Sequence, residues 1–345
     1  MKTYFAIISV ILVSAGAFLW LRQNKSEQAA PSLFDTIVQE QPLEMTITTD
    51  LSTLLADRAA VDGQPALINW TLADGSTSQW QAEAALRGKT RRQYCEFPPL
   101  KLNFDSEQLR QTGLQGHSSL KLVTQCTDNE QLLLKEYLAY KMLNSLTDKS
   151  FRVQLARVTY RDREGDMEPI THYAIILENT REMAQRLGGT VLEGGPQKCK
   201  QIDAGQYRLI TVFQYMIGNT DWNLGDQHNI KLVQLEGKSA PTPVPYDFDY
   251  AGLVNAPYAK PHPQMPINRV TERFFQYRGK DCESLRNTLE IFKAQKAELF
   301  QLCHNLKGLS DASRRQVAAY LESFFEIIEN DDSLAVMLRS RQVTS

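Results

Sequence analysis

Gly205-Gln-Tyr-Arg-Leu-Ile-Thr-Val-Phe-Gln-Tyr-Met-Ile217 runs into Gly218-Asn-Thr-Asp221-Trp-Asn-Leu-Gly-Asp226-Gln-His-Asn229, then into Ile230-Lys-Leu-Val233 and Pro243-Val-Pro-Tyr-Asp247-Phe-Asp249. The first part is almost wholly apolar and long enough for a buried helix, the second is a polar loop, and the last two are a strand pair ending in carboxylates. That order sets Asp221, Asn229, Asp247 and Asp249 at the ends of rigid elements, near one another. Several oxygen donors at one place suit a hard cation such as magnesium with its phosphate ligand.

The rest of the chain bounds this reading. Its 345 residues are enough for one large domain or two ordinary ones, and 42% hydrophobic with 23% charged residues is a globular composition. A net charge of -2 and a pI near 6.3 give no field that gathers nucleic acid, so nucleic acid is not an expected partner. At the N-terminus, Lys2, the apolar run Tyr4 to Val13 and the small residues Ser14-Ala15-Gly16-Ala17 follow the order of a secretory signal. The apolar run continues through Phe18-Leu-Trp20, so residues 1–21 read either as a cleaved signal or as a membrane anchor, with 22–33 as a polar linker. Either reading puts the protein outside the cytoplasm, in the periplasm, at the membrane or secreted. Cys95, Cys126, Cys199, Cys282 and Cys303 have no metal-ligand spacing; they read as one or two disulfides or as small buried apolar side chains.

Residues 34–79 read as a small strand-rich N-terminal region. Leu43-Glu-Met-Thr-Ile47 and Ala66-Leu-Ile-Asn-Trp70 alternate, and Asp74-Gly75 marks a tight turn. Next, Arg87-Gly88-Lys-Thr-Arg91-Arg92 joins two extended segments. Such a glycine-hinged cationic loop can set guanidinium groups against phosphate oxygens, and by itself it also fits a solvated turn. Lys121 lies on an alternating strand, Ser119 to Gln125, followed by a helix expected to be capped by Asp128 with Gln131 three residues on. This helix carries Glu136. A strand lysine followed by a helix glutamate is the pair that holds nucleotide phosphates, although Glu136 alone also fits a surface residue. Phe151 to Tyr160 and Thr171 to Leu177 read as a hairpin, and Gly188-Gly189 with Gly194-Gly-Pro196 as a mobile loop. Two amphipathic helices are expected to close the chain, Leu285 to Leu306 and one capped by Ser310.

Taken together, Arg87-Gly88 with its basic residues, Pro99-Leu-Lys101-Leu-Asn-Phe104, the Thr127-Asp128 helix start, the Asp/His-Asn loop and Pro245-Tyr-Asp247-Phe-Asp249 resemble the spore-coat CotH family of atypical protein kinases. The likeness covers roughly residues 80 to 250. It implies an α+β, two-lobed protein-kinase-like fold over 80–345, with lobes of about 80–177 and 180–345 and the strand-rich region as an N-terminal extension. It also implies ATP with Mg2+ or Mn2+ as cofactor, and a hydroxyl of an exported protein or small molecule as acceptor. By the same resemblance Asp221 looks like the catalytic aspartate, Asn229 like the loop asparagine on the metal, and Asp247 like the metal-binding aspartate with Asp249 beside it. Lys121, then Lys101, are the choices for the phosphate-holding lysine that Glu136 fixes. Arg87 and Arg91 would contact the γ-phosphate, and Glu178-Asn179 would form a hinge with backbone facing adenine.

One spacing departs from the kinase pattern, which puts asparagine five residues after its aspartate. Here Asp221 is eight residues before Asn229 and Asp226 three before it. Asp221 is preferred because it follows directly on a rigid helix end, whereas Asp226 after Gly225 reads as a turn residue. His228 reads as a structural loop histidine. The alternative function is a catalytically inactive binding protein of the cell envelope that keeps the fold and uses its N-terminal strands and its proline-broken 255–266 loop as interaction surfaces.

Overall fold

The computed structural model describes residues 30–59, 62–88, 90–193, 201–263, 265–279 and 281–340. The expected signal or anchor, Cys199 and the Gly194-Gly-Pro196 segment lie outside these residues.

Alternation of apolar side chains builds a barrel from the first half of the chain. Its strands are β1 (Leu43–Thr49), β2 (Gln64–Thr71), β3 (Thr77–Leu86), β4 (Leu100–Phe104), β5 (Ser119–Thr124), β6 (Val153–Asp162) and β7 (Ile170–Leu177). They close in the order β1-β2-β3-β4-β5-β7-β6. All neighbours are antiparallel except β1 and β6, which run parallel with Leu43 opposite Ala156 and Thr49 opposite Asp162. Ile47, Ile68, Leu102, Leu122, Val158 and Ile176 are fully or almost fully buried and belong to one core cluster. Alternate residues of β6 and β7, such as Leu155 and Ile175, instead join a second cluster with the helices. These strands are buried on both faces, as the barrel wall that carries the helical layer must be.

The barrel overturns the expected two-lobed kinase-like fold with a strand-rich extension. The N-terminal strands are not an appendage. A sheet of β3, β4, β5, β7 and β6 alone would present two bare edges, and β2 covers one while β1 covers the other. Residue 80, where the kinase-like part was expected to begin, falls inside β3. The end of the expected linker is also fixed, since Ser32 bridges Gln115 and Leu33 is buried.

The remaining described elements form the helical layer and a small sheet. Helices α1 (Leu51–Ala56), α2 (Thr90–Tyr94) and α3 (Ser106–Gln111) are short and lie between barrel strands. Helix α4 (Glu130–Leu146) follows β5 and is buried nearly all round; its cap is Asn129, whose side chain accepts from the Gln131 N–H, rather than Asp128. After α5 (Thr180–Arg186) come β8 (Gly189–Val191) and α6 (Ala204–Ile217), then β9 (Ile230–Leu235) and β10 (Thr242–Pro245), which pair as a sheet in the order β10-β9-β8. Helices α7 (Cys282–Asn305), α8 (Asp311–Glu329) and α9 (Asp331–Ser340) end the described chain, one more than the sequence pattern indicated. Gly218 stops α6 in the left-handed conformation at φ 66°, and a Cβ there would lie 2.0 Å from the Tyr320 hydroxyl. Only glycine meets both demands.

Candidate functional site

Three segments converge where the barrel meets the helical layer. Arg91 stands on α2, Glu136 on α4, and Asp247 and Asp249 directly after β10. The Arg91 guanidinium lies 2.9 Å from Glu136, 2.8 Å from Asp249 and 3.5 Å from Asp247. Glu136 and Asp249 expose only 3% and 6% of their side chains, whereas Asp247 exposes 42%, so Asp247 is the carboxylate open to a ligand. One guanidinium among three carboxylates leaves surplus negative charge. Burial, opposed by Arg91 and reinforced by Asp249, pushes Glu136 up to about 8. Partial burial and the Asp249 charge push Asp247 up to about 6, against the pull of Arg91 and Arg87. Arg91 itself is held well above its ordinary value, because Asp249, Glu136 and Asp247 outweigh the effect of burial.

Two tyrosines support this group. The Asp247 N–H donates to the Tyr140 hydroxyl at 2.8 Å, which holds Asp247 at φ 64°. Tyr258, from the proline-broken loop, shares a side-chain hydrogen bond with Asp249. Burial raises both phenols above their usual range, so they stay protonated.

The loop after α6 brings up a second carboxylate. Asp221 accepts from Asn229 Nδ2 at 3.0 Å through one oxygen and meets His228 Nε2 at 3.0 Å through the other. Asn229 Nδ2 also donates to the Asp221 carbonyl at 2.8 Å. Asn229 has φ 51° and is joined through its carbonyl to the Tyr246 N–H, directly before Asp247. Asn and Asp tolerate the left-handed backbone better than other side chains, and such conformations cluster where function demands them. Asp221 also contributes to the upward push on Asp247, which puts the two carboxylates within electrostatic reach.

A group of cations lies within electrostatic reach of this cluster. Lys121 on β5 is paired across the ladder with Lys101 on β4. Burial first, then the charges of Arg87, Lys231 and Lys101, lower its pKa to about 8. Arg87, at the end of β3, is lowered by burial but favoured by Asp247. Lys121 and Glu136 are not partners: Arg91 holds Glu136, and Lys121 Nζ donates to Thr180 Oγ1 at 3.5 Å.

Glu178 and Asn179 are given to the fold. Glu178 is fully buried and accepts from Arg152 and Arg186 side chains at 2.8 Å, while its N–H donates to the Arg152 carbonyl at 3.1 Å. Asn179 caps α5, accepting from the Arg181 N–H at 2.9 Å. Of the backbone groups expected to face adenine, the Glu178 N–H and the Asn179 carbonyl, which accepts from the Met183 N–H at 2.8 Å, are engaged within the fold. Sequence reasoning missed Tyr140, Tyr258 and Lys231. Tyr140 lies one helical turn from Glu136, and Lys231 lies two strand positions from Asn229, so periodicity carried a signal for both. Tyr258 had none.

The oxygens present fit magnesium brought in with phosphate. Asp247 offers an open carboxylate, and Asn229 Oδ1 remains after Nδ2 is committed to Asp221. No group of three His, Cys, Asp or Glu side chains among the described residues is arranged to hold a metal. Magnesium commonly takes one or two protein oxygens and fills its sphere with phosphate and water.

No known family model matches the chain, and no curated protein matches it. Among solved structures the chain is similar, distantly, to the crystal structure of a Helicobacter pylori proinflammatory kinase, CtkA, at 12% identity over 71% of this chain and 98% of that one, with a TM-score of 0.42.

Proposed function

We propose that the protein is an ATP-dependent phosphotransferase that moves the γ-phosphoryl group to a hydroxyl of a protein or small molecule outside the cytoplasm. The observation that carries this reading is a run of cations, Lys101, Lys121 and Arg87, within electrostatic reach of the acidic cluster at Asp247, beside which Asp221 and Asn229 also gather. The cations suit the polyphosphate, and Lys121 and Arg87 would neutralise its oxygens. Asp247 and Asn229 would hold magnesium, which supplies charge neutralisation for the transferring group. Asp221 would orient the acceptor hydroxyl and take its proton as the new P–O bond forms and the bond to the ADP oxygen breaks. The short motifs that resemble those of the CotH family support the same reading. A disulfide between Cys95 and Cys126 supports an oxidising compartment.

One observation favours a second reading, a nucleotide-binding protein without transfer. Both Asp221 oxygens already have partners, His228 and Asn229. Asp221→Asn separates the two. Transfer of labelled γ-phosphate that disappears in the variant while nucleotide binding persists supports the enzyme. Binding without transfer in the wild type supports the second reading.

A further inference from the structure

The guanidinium at the centre of the site is carried by a weak element. Helix α2 is five residues long, too short to persist by its own hydrogen bonds. Its far end is tied down instead. Cys95, the residue after α2, is bonded to Cys126, and the Glu96 N–H donates to the Cys126 carbonyl at 3.2 Å. Arg58 adds bonds to the Cys95 carbonyl at 2.6 Å and the Glu96 carbonyl at 3.0 Å. Cys126 stands four residues ahead of α4, the helix that presents Glu136. The disulfide therefore joins the end of α2, the helix that carries Arg91, to the segment that leads into α4, the helix that carries Glu136.

The side chains in the same place make that tie consequential. Arg91, Glu136, Tyr258 and Cys126 line one small crevice. Glu136 Oε1 is buried there without a hydrogen-bond partner, so its hold on the site runs through the Arg91 contact on Oε2.

We propose that the Cys95–Cys126 disulfide is a positioning element for Arg91, and that reducing it weakens nucleotide binding while the fold persists. This rests on the reading of the Arg91 cluster as a nucleotide site. The chemistry is thiol–disulfide exchange with a dithiol reductant. A reductant thiolate attacks a sulfur of the bond and the second thiolate resolves the mixed disulfide, leaving two protein thiols and one oxidised dithiol. Cys95 is 1% exposed, so attack falls on the half-buried Cys126.

The test is a titration of the full chain with magnesium ATP in five forms: oxidised, reduced by dithiothreitol, the Cys95→Ser/Cys126→Ser double variant, and Arg91→Met in each of the two redox states. Arg91→Lys replaces the methionine variant if that does not fold. Reduction is expected to weaken binding about 10- to 100-fold, the worth of one or more charge-assisted hydrogen bonds to phosphate. The double variant is expected to match the reduced wild type, and the Arg91 variant to bind weakly and equally in both redox states. Equal affinity of oxidised and reduced wild type overturns the proposal. So does an Arg91 variant that weakens on reduction by the same factor, or a reduced chain that loses its near-ultraviolet circular dichroism, since the disulfide then acts on folding. An oxidised wild type that binds no nucleotide overturns the nucleotide reading itself, and this inference with it.

Discussion

Lys121 is one of three groups of the site, with Glu136 and Asp247, whose charge responds to pH in the range where the protein can be studied. Burial and the neighbouring cations lower it from 10.5 to about 8. A phosphate needs the protonated form, so nucleotide affinity is expected to fall above about pH 8, with a slope approaching one decade per pH unit, and Lys121→Met is expected to flatten that profile. Titrations between pH 7 and 10 check this. Stability takes the opposite sign. Between about 8 and 10.5 the folded chain binds fewer protons at Lys121 than the unfolded chain, so the contribution of this group to stability rises with pH through that window. At this scale the sequence made one grouping legible: Asp221, Asn229, Asp247 and Asp249 sit at the ends of consecutive elements, and chain order sufficed to gather them. The partner of Glu136 was not legible. Arg91 is 45 residues from Glu136 and 158 from Asp249, and no local period encodes a contact over such distances.

Elements that begin or end at a stated chemical signal can be tested one at a time. Gly218 ends α6 at φ 66° with the Tyr320 hydroxyl where a Cβ would stand. Gly218→Ala is expected to cost at least about 1 to 2 kcal/mol from the left-handed backbone alone, with more if Tyr320 fails to move. Denaturant midpoints measure it. The loss should extend to Asp221, because Asn219, next after Gly218, holds the Asp221 N–H at 3.0 Å. Asp203 caps the other end of α6, accepting from the Gln206 N–H at 3.0 Å. Asp203→Ala is expected to cost about 1 kcal/mol. The course of α6, β9 and β10 was legible because apolar runs, a glycine stop and prolines punctuate it. The cap of α4 was misplaced by one residue, since Thr127-Asp128-Asn129 offers adjacent side chains of equal capping chemistry. Helix α9 follows α8 after a single residue, Asn330, whose side chain accepts from the Ser333 N–H at 2.9 Å; the polar run Glu329-Asn-Asp-Asp-Ser333 carried that signal in the sequence and was not read as a new helix start.

For the whole molecule, closure of the barrel makes the N-terminal strands part of the core. Ile47 and Ile68, both fully buried, come from β1 and β2 and share a cluster with Leu102, Leu122 and Val158. A chain that begins at Thr77 would lose this packing and expose the edges of β3 and β6. It is expected not to fold, or to aggregate through those edges, as size-exclusion chromatography and circular dichroism would report. Alternation gave the facing of each strand, but it does not say which strands pair, and the parallel β1–β6 contact spans more than a hundred residues. That is why the region read as an extension.

Lys121 and Arg87 come within electrostatic reach of one another and Arg87 of Asp247, and nucleotide phosphates are proposed to bind there. Thermal unfolding of the protein with ATP, with and without magnesium, tests it most directly, with Asp247→Ala alongside. A nucleotide site at Asp247 gives a magnesium-dependent stabilisation of about 2.7 kcal/mol at a hundredfold excess over Kd, lost in the variant. No stabilisation at millimolar ATP and magnesium, or the same stabilisation in Asp247→Ala, would contradict it.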